Sequence, residues 1–183
     1  LTTLFLVPMM LSPIVVGLFW KFMLDAQFGV VNSMLGSLGL EQVEWLTRQR
    51  TALLSLIVVD TWQWTPFIML IALAGLTAVP KYLYEAASID RASEWFKFRT
   101  ITLPLVWPLL LIAVLFRAIE AFRLFDLVYI LTSGGPGVST ETLSFHVYKV
   151  AFLGFNTGTA SAYGILMVLV VIVLTQFYLR YLN

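Results

Sequence analysis

A stripe of polar and aromatic residues runs through an otherwise apolar stretch of the chain. Its members are spaced i, i+3, i+4 and i+7, which places them along one face of a helix: Asp60, Gln63, Trp64 and Phe67. Aromatic rings combined with carboxylate and amide groups suit polyhydroxylated ligands, which present apolar C–H faces and many hydroxyl groups. The pattern indicates a binding surface for such a ligand.

A second stripe has the same spacing further along the chain. Its members are Arg117, Glu120, Ala121 and Leu124, and Arg123 and Asp126 extend the charge at one end. Ionisable residues within apolar segments usually face a cavity or a partner. Arg117 could bind a phosphate group, but we expect Glu120, one helical turn away, to neutralise it. We therefore favour a sugar as the ligand and keep a phosphorylated polyol as a possibility.

Each stripe also has a structural interpretation. Arg117 and Glu120 at i, i+3 could form an ion pair that only stabilises a helix bundle. Trp62 and Trp64 could be residues of the aromatic belt at a membrane interface. An intramembrane enzyme would need a catalytic set, for which Asp60 and Asp126 are the available carboxylate pair.

Other catalytic and metal chemistry has little support in the composition. The chain contains no cysteine and a single histidine, His146, which excludes Cys-ligated metals, thiolate nucleophiles and histidine clusters. Glu141 and His146 could be read as an acid–base pair, but we interpret His146 as a polar surface residue. The glycine-rich segment TSGGPG lacks the Lys-Ser/Thr ending of a phosphate-binding P-loop. A net charge of +1 and the lack of a basic tract argue against nucleic acid.

The composition identifies the chain as a membrane protein. Of its 183 residues, 60% are hydrophobic and 11% charged, whereas a soluble domain is about 25% charged. Four segments are long enough to cross a bilayer as helices: residues 3–23, 52–79, 104–131 and 159–181. We expect an all-α transmembrane bundle forming a single domain over 1–183. Prolines predict kinks at four positions: Pro8, Pro13, Pro66 and Pro108.

A charged segment at residues 80–103, here called the knuckle, separates the second and third spans. Helix formers follow Pro80, and Asp90 and Arg91 interrupt them. The sequence therefore predicts two short helices with a turn between them, the second capped by Ser93. The knuckle could be an ordinary interfacial loop with a solvated charged face. Alternatively, the small side chains of Ala86 and Ala87 would let a partner approach the backbone closely.

The knuckle sequence EAASIDRASEWFKFRTITLP resembles the cytoplasmic EAA loop of binding-protein-dependent ABC import permeases. That loop has Glu-Ala-Ala, three residues, glycine, about nine residues and then Ile-x-Leu-Pro. The matching residues are Glu85, Ala86, Ala87, Ile101, Leu103 and Pro104. The flanking sequences WQWTPFIMLIALAGLTAVPKYLYEAA and FDLVYILTSGGPGVSTETL are similar to the maltose and glycerol-phosphate type of sugar permease. The LTSGGPG element indicates the first of the two paired permeases.

The resemblance implies the partners and the roles of the site residues. A second permease subunit, cytoplasmic ATPase subunits that use the ATP, and an extracytoplasmic solute-binding protein would complete an importer in a prokaryotic inner membrane. The two stripes would line the solute path, and this chain would carry no catalytic residues or cofactor. Contact with the ATPases would involve Glu85, Ala86, Ala87, Asp90, Arg91, Leu103 and Pro104. Arg91 departs from the pattern because it stands where the family has glycine.

The beginning of the chain indicates a fragment. It starts at Leu1 and lacks a basic n-region and a cleavage site, so we expect the N-terminal spans of the family to be missing. The rival transporter class is an ion-coupled secondary carrier, which would be expected to show inverted repeats and broken helices around an ion site. No paired repeat is visible in the sequence.

Overall fold

Three long apolar helices dominate the structure. The computed structural model describes residues 2–182 and the side chains of residues 5–180. The helices long and apolar enough to cross a membrane are Gln49–Ala78, Glu94–Phe122 and Thr157–Arg180. We call Gln49–Ala78 α4 and the helix Thr157–Leu182 α10. The helical membrane fold predicted from the sequence is confirmed.

The predicted span over residues 3–23 is two helices instead of one. Helix α1 covers Thr2–Met10 and α2 covers Pro13–Met23. Pro13 has no backbone N–H and disfavours helical geometry in the residue before it, and Ser12 is accordingly extended, with φ −60° and ψ 138°. At 1.5 Å per residue each helix is shorter than about 17 Å, which is too short to cross a bilayer alone.

The predicted span over residues 104–131 is also divided. Helix α7 runs from Leu103 to Phe122. After a break the short helix α8 covers Asp126–Leu131. The hydroxyl of Thr142 donates a hydrogen bond of 2.7 Å to the carbonyl oxygen of Leu124 and so satisfies a backbone group that the break leaves without a helical partner.

The connecting segments contain short helices. Helix α3 covers Val30–Ser37, and α9 covers Leu143–Tyr148 and continues as a π-helical turn to Leu153. Asn32 in α3 is buried and organises its loop through four hydrogen bonds. Its amide donates to two backbone carbonyls, and its oxygen accepts from a backbone N–H and from the indole of Trp45.

The buried core lies among α2, α4, α8 and α9. Its members are apolar: Val16, Leu24, Leu56, Val59, Leu127, Val128, Leu131 and Phe145. Helices α4 and α7 run antiparallel beside this core. Near the knuckle, Gly75 of α4 is buried against α7 so closely that a Cβ atom there would lie 2.9 Å from a methyl group of Val106. The two predicted stripes lie on these neighbouring helices, except that Leu124 lies in the break after α7.

Candidate functional site

An ion pair joins the two stripes. The Arg117 guanidinium on α7 donates to the Asp60 carboxylate on α4. Only 18% of the Arg117 side chain and 17% of the Asp60 side chain are exposed. The guanidinium also lies 5.3 Å from the centre of the Trp64 ring, within range of a cation–π interaction.

The expectation that Glu120 neutralises Arg117 is therefore wrong. Glu120 lies 3.4 Å from the guanidinium of Arg123, and these two side chains are largely exposed. A partner on the neighbouring helix approaches Arg117 more directly than one on its own helix, because α4 and α7 are packed together. Spacing within one helix could not show this contact.

Gln63 is almost completely buried and contacts the break in the first segment. Its amide nitrogen donates a hydrogen bond of 3.3 Å to the carbonyl oxygen of Leu11, between α1 and α2. The side-chain oxygen of Gln63 is buried and has no hydrogen-bond partner. Gln63 thus supports a helix break through one end of its amide and offers an acceptor with the other.

Two cavities meet at Trp64 and Arg117. The first has a volume of about 430 Å³ and is lined by Asp60, Thr61, Trp64, Thr65, Ile68, Met69, Ala72 and Arg117. The second has a volume of about 80 Å³ and is lined by Pro13, Gln63, Trp64, Arg117, Glu120, Arg123, Leu124, Phe125, Asp126 and Leu127. Residues from both stripes therefore line two cavities that share Trp64 and Arg117.

Two members of the predicted stripes lie outside these cavities. Phe67 packs edge-on against Trp64, with ring centroids 6.3 Å apart, and Ala121 is exposed. The sequence reasoning missed the threonines Thr61 and Thr65, which lie on the adjacent face of α4. Their i, i+4 spacing was visible in the sequence, but hydroxyl groups in an apolar helix commonly bond to their own backbone, as Thr65 does here.

The knuckle forms the two short helices that the sequence predicts. Helix α5 covers Lys81–Ile89 and α6 covers Glu94–Lys97, followed by a π-helical turn, Phe98–Thr102, that leads into α7. The hydroxyl of Ser93 accepts a hydrogen bond from the backbone N–H of Phe96 and so caps α6. The hydroxyls of Tyr84 and Thr102 are 2.6 Å apart and fasten α5 to the start of the membrane helix.

The turn after α5 is a Schellman motif with an arginine at the position glycine usually takes. The backbone N–H of Arg91 bonds to the carbonyl of Ser88, and that of Ala92 bonds to the carbonyl of Ala87. Arg91 has a φ of 53°, in the left-handed region. The left-handed φ explains why the family pattern has glycine at this position. Arg91 adopts the same backbone geometry at a steric cost that glycine does not have.

We predict that Arg91→Gly stabilises the protein. Glycine removes the steric cost of the left-handed conformation, about 1 kcal/mol, while the two backbone hydrogen bonds of the turn remain. The thermal unfolding temperature of the purified protein should rise. Arg99→Gly is the control: it removes an exposed arginine from helical geometry and should destabilise the protein. A lower unfolding temperature for Arg91→Gly would show that the arginine makes a contact of its own.

The knuckle carries a groove between α5 and α6. It has a volume of about 420 Å³ and is lined by Ala87, Asp90, Ala92, Ser93 and Phe96. Among the other predicted coupling residues, Glu85, Ala86 and Arg91 are exposed on α5 and its turn. Leu103 and Pro104 lie at the start of α7, outside the groove. No residue of α5 is buried.

A polar cluster lies at the other end of the bundle. The carboxylate of Glu141 is 2.6 Å from Nδ1 of His146 and accepts a hydrogen bond of 2.8 Å from Lys149. The bonds from Lys149 and His146 hold the pKa of Glu141 below its ordinary value. His146 also packs edge-on against Tyr163 of α10. His146 is thus a member of an ion cluster in this loop, and none of its three members lines either cavity.

Curated relatives cover the chain almost completely. It is 40% identical over 175 residues to the trehalose/maltose transport system permease protein MalF of Thermococcus litoralis, covering 96% of the chain and 59% of that protein. It is 33% identical to the sn-glycerol-3-phosphate transport system permease protein UgpA of Agrobacterium fabrum, covering 99% of the chain and 62% of that protein. The chain thus spans about three fifths of the length of these relatives.

Solved structures have the same fold. A bacterial ABC transporter involved in the import of the acidic polysaccharide alginate matches with a TM-score of 0.90 at 26% identity, over 99% of the chain and 64% of the matched chain. The same kind of transporter in complex with an alginate pentasaccharide-bound periplasmic protein matches with a TM-score of 0.87. The family described as binding-protein-dependent transport system inner membrane component matches residues 1–183. The chain therefore belongs to this family of inner membrane transport components.

Proposed function

We propose that the chain is the membrane-spanning permease of an ATP-driven importer and forms half of a path for a sugar or related polyol. The observation that carries this proposal is the polar region between α4 and α7, where two cavities meet at Trp64 and Arg117. Charged and amide groups inside apolar helices are costly unless they face a cavity or a partner. Membership of a transport family supports this function over an ion-coupled carrier or an intramembrane enzyme.

The partners follow from the family and from the two ends of the bundle. A second permease would form the other half of the path, and cytoplasmic ATPases would bind the knuckle and use ATP. An extracytoplasmic solute-binding protein would deliver the solute, and the periplasmic protein bound to the alginate transporter supports this partner. We assign residues 80–103 as the coupling segment because no residue of α5 is buried and a groove lies beside it.

The solute class is a sugar or polyol in this proposal. Trp64 provides an aromatic face, and Gln63, Glu120 and Asp126 provide hydrogen-bonding groups beside it. Relatives named for trehalose or maltose and for glycerol phosphate are both similar to the chain. The relatives thus include permeases named for uncharged and for charged solutes.

The test is transport by the reconstituted complex. The full importer should be assembled in liposomes with its solute-binding protein and supplied with a panel of radiolabelled sugars, polyols and their phosphates. We expect ATP-dependent accumulation of at least one solute and co-purification of an ATPase subunit that is lost when residues 81–100 are replaced by a flexible linker. An assembled complex that hydrolyses ATP but moves no member of the panel would contradict the proposal.

We predict that Gln63→Leu weakens uptake. The substitution removes the buried acceptor that faces the second cavity and the donor to the carbonyl of Leu11. Leaving hydrogen-bonding partners unpaired costs about 1 to 3 kcal/mol, which corresponds to a roughly 5- to 150-fold loss of apparent solute affinity. Solute dependence of uptake in the reconstituted complex measures this loss.

The variant Gln63→Glu separates the two ends of the amide. As a carboxylate it keeps an acceptor but cannot donate to Leu11. We expect its affinity to lie between those of the wild type and Gln63→Leu. Normal uptake by both variants would show that Gln63 only fills space beside the helix break.

A further inference from the structure

The guanidinium of Arg117 is occupied within the protein on two sides. Nη2 of Arg117 donates to Oδ2 of Asp60, and the guanidinium carbon lies 5.3 Å from the centroid of the Trp64 ring. Arginine binds phosphate and carboxylate ligands through paired N–H donors. With Asp60 in place, an anionic solute in the first cavity would have to displace this carboxylate or share the guanidinium with it, against the repulsion of like charges.

The buried polar atoms without partners on the residues that line the cavities are acceptors. Among the described residues, the buried atoms without a hydrogen-bond partner include Oδ1 of Asp60 and Oε1 of Gln63. Both residues line the cavities. A sugar hydroxyl can donate to such atoms, whereas an ionised phosphate or carboxylate group of a solute offers only acceptors there.

The formal charges of the residues that line the cavities also disfavour an anionic solute. The two cavities are lined by three carboxylates, Asp60, Glu120 and Asp126, and by two guanidinium groups, Arg117 and Arg123. One negative charge is in excess. An anionic solute therefore meets like charge in a region of reduced dielectric constant.

We propose that Asp60 is a specificity-determining residue that masks Arg117, so that the path admits uncharged polyhydroxylated solutes and rejects phosphorylated or uronate solutes. This inference rests on the proposed function, since it concerns the solute of the same path. Asp60 acts by occupying the largely buried guanidinium that an anion would otherwise bind.

The test is equilibrium binding to the assembled permease–ATPase complex in nanodiscs. The solute-binding protein is left out, so that the measured selectivity among solutes is that of the path alone. The probes are radiolabelled maltose and trehalose as uncharged solutes, and sn-glycerol 3-phosphate and a mannuronate trisaccharide as anions, all at millimolar concentration. Wild-type complex should bind an uncharged probe about tenfold or more tightly than either anion. Asp60→Asn should reverse this preference by freeing Arg117.

Three further variants test whether the freed guanidinium itself binds the anion. Asp60→Asn/Arg117→Gln removes the guanidinium as well and should not gain anion binding. Glu41→Gln removes the same formal charge at an exposed site outside both cavities and should leave the preference for uncharged probes in place. Asp60→Glu keeps a carboxylate and should continue to exclude the anionic probes. If Asp60→Asn does not assemble, anion binding by the wild type and by Asp60→Glu is the test, and tight binding of an anion by either complex contradicts the role of Asp60.

The outcomes separate this inference from the proposed function. Wild-type binding of an anion as tightly as the uncharged probes, or unchanged anion binding in an assembled Asp60→Asn complex, would overturn the role of Asp60 while leaving a solute path in place. An intact complex that binds neither class of probe would contradict the solute path itself, and this inference with it.

Discussion

Replacing Glu85 with lysine is expected to abolish solute uptake while leaving the permease folded. Glu85 is exposed on α5, and none of the described residues forms an ion pair with it. Lysine and glutamate have similar helix propensities, so α5 should form equally well in the variant. A loss of activity would therefore report on a partner that binds this surface, which we propose to be the ATPase.

The expected size of the effect follows from reversing a charge at a protein interface. Like charges brought together there cost several kcal/mol, so uptake should fall to less than about a tenth of the wild-type rate. The measurements are solute uptake and solute-stimulated ATP hydrolysis by the complex in liposomes. Glu41→Lys, an exposed site in the loop between α3 and α4, makes the same charge change and should leave both activities unchanged. Normal uptake in Glu85→Lys would remove Glu85 from the coupling surface.

The sequence alone predicts the knuckle well because its information is local. Helix formers, the cap at Ser93 and the break at Asp90 and Arg91 act within a few residues of one another, and the structure has both short helices and the turn. The sequence predicts the helical membrane fold equally well, because the length and composition of an apolar segment determine whether it can cross a bilayer.

The breaks in the first and third segments depend on contacts that spacing does not contain. Pro13 indicated a kink, but the extended Ser12 leaves a carbonyl at Leu11 that a distant residue, Gln63, satisfies. In the third segment Thr142, 18 residues away, bonds to the carbonyl of Leu124. Hydropathy shows that a segment is apolar. It does not show which distant side chains form hydrogen bonds to backbone groups at a break in that segment.

The candidate site shows the same division. The i, i+3, i+4, i+7 spacing selects eight residues, and six of them line the two cavities. Its error was the partner of Arg117, since the sequence offered only Glu120 within the same helix. Asp60 lies 57 residues away along the chain, and only the packing of α4 against α7 brings the two together.

Breaking the Asp60–Arg117 pair from one side is expected to destabilise the protein, whereas removing both partners together is not. Arg117→Leu leaves the Asp60 carboxylate between α4 and α7 without its cation, and Asp60→Leu leaves the guanidinium alone. Removing one partner of a buried pair typically costs 3 to 5 kcal/mol, and since about a sixth of each side chain is exposed, we expect about 3 kcal/mol for either variant. Asp60→Leu/Arg117→Leu leaves no unpaired charge and should unfold within about 1 kcal/mol of the wild type.

Thermal unfolding of the assembled complex, measured for the four members of this double-mutant cycle, gives the coupling energy between the two helices. Arg123→Leu is the matched control, because it breaks a pair of similar composition whose side chains are 65% and 47% exposed and should cost less than about 1 kcal/mol. If the losses of the two single variants simply add in the double variant, the ion pair does not couple α4 to α7. If the double variant is stable but transports no solute, the pair is needed for the path and not for the fold, because the same two side chains that join the helices also line the first cavity.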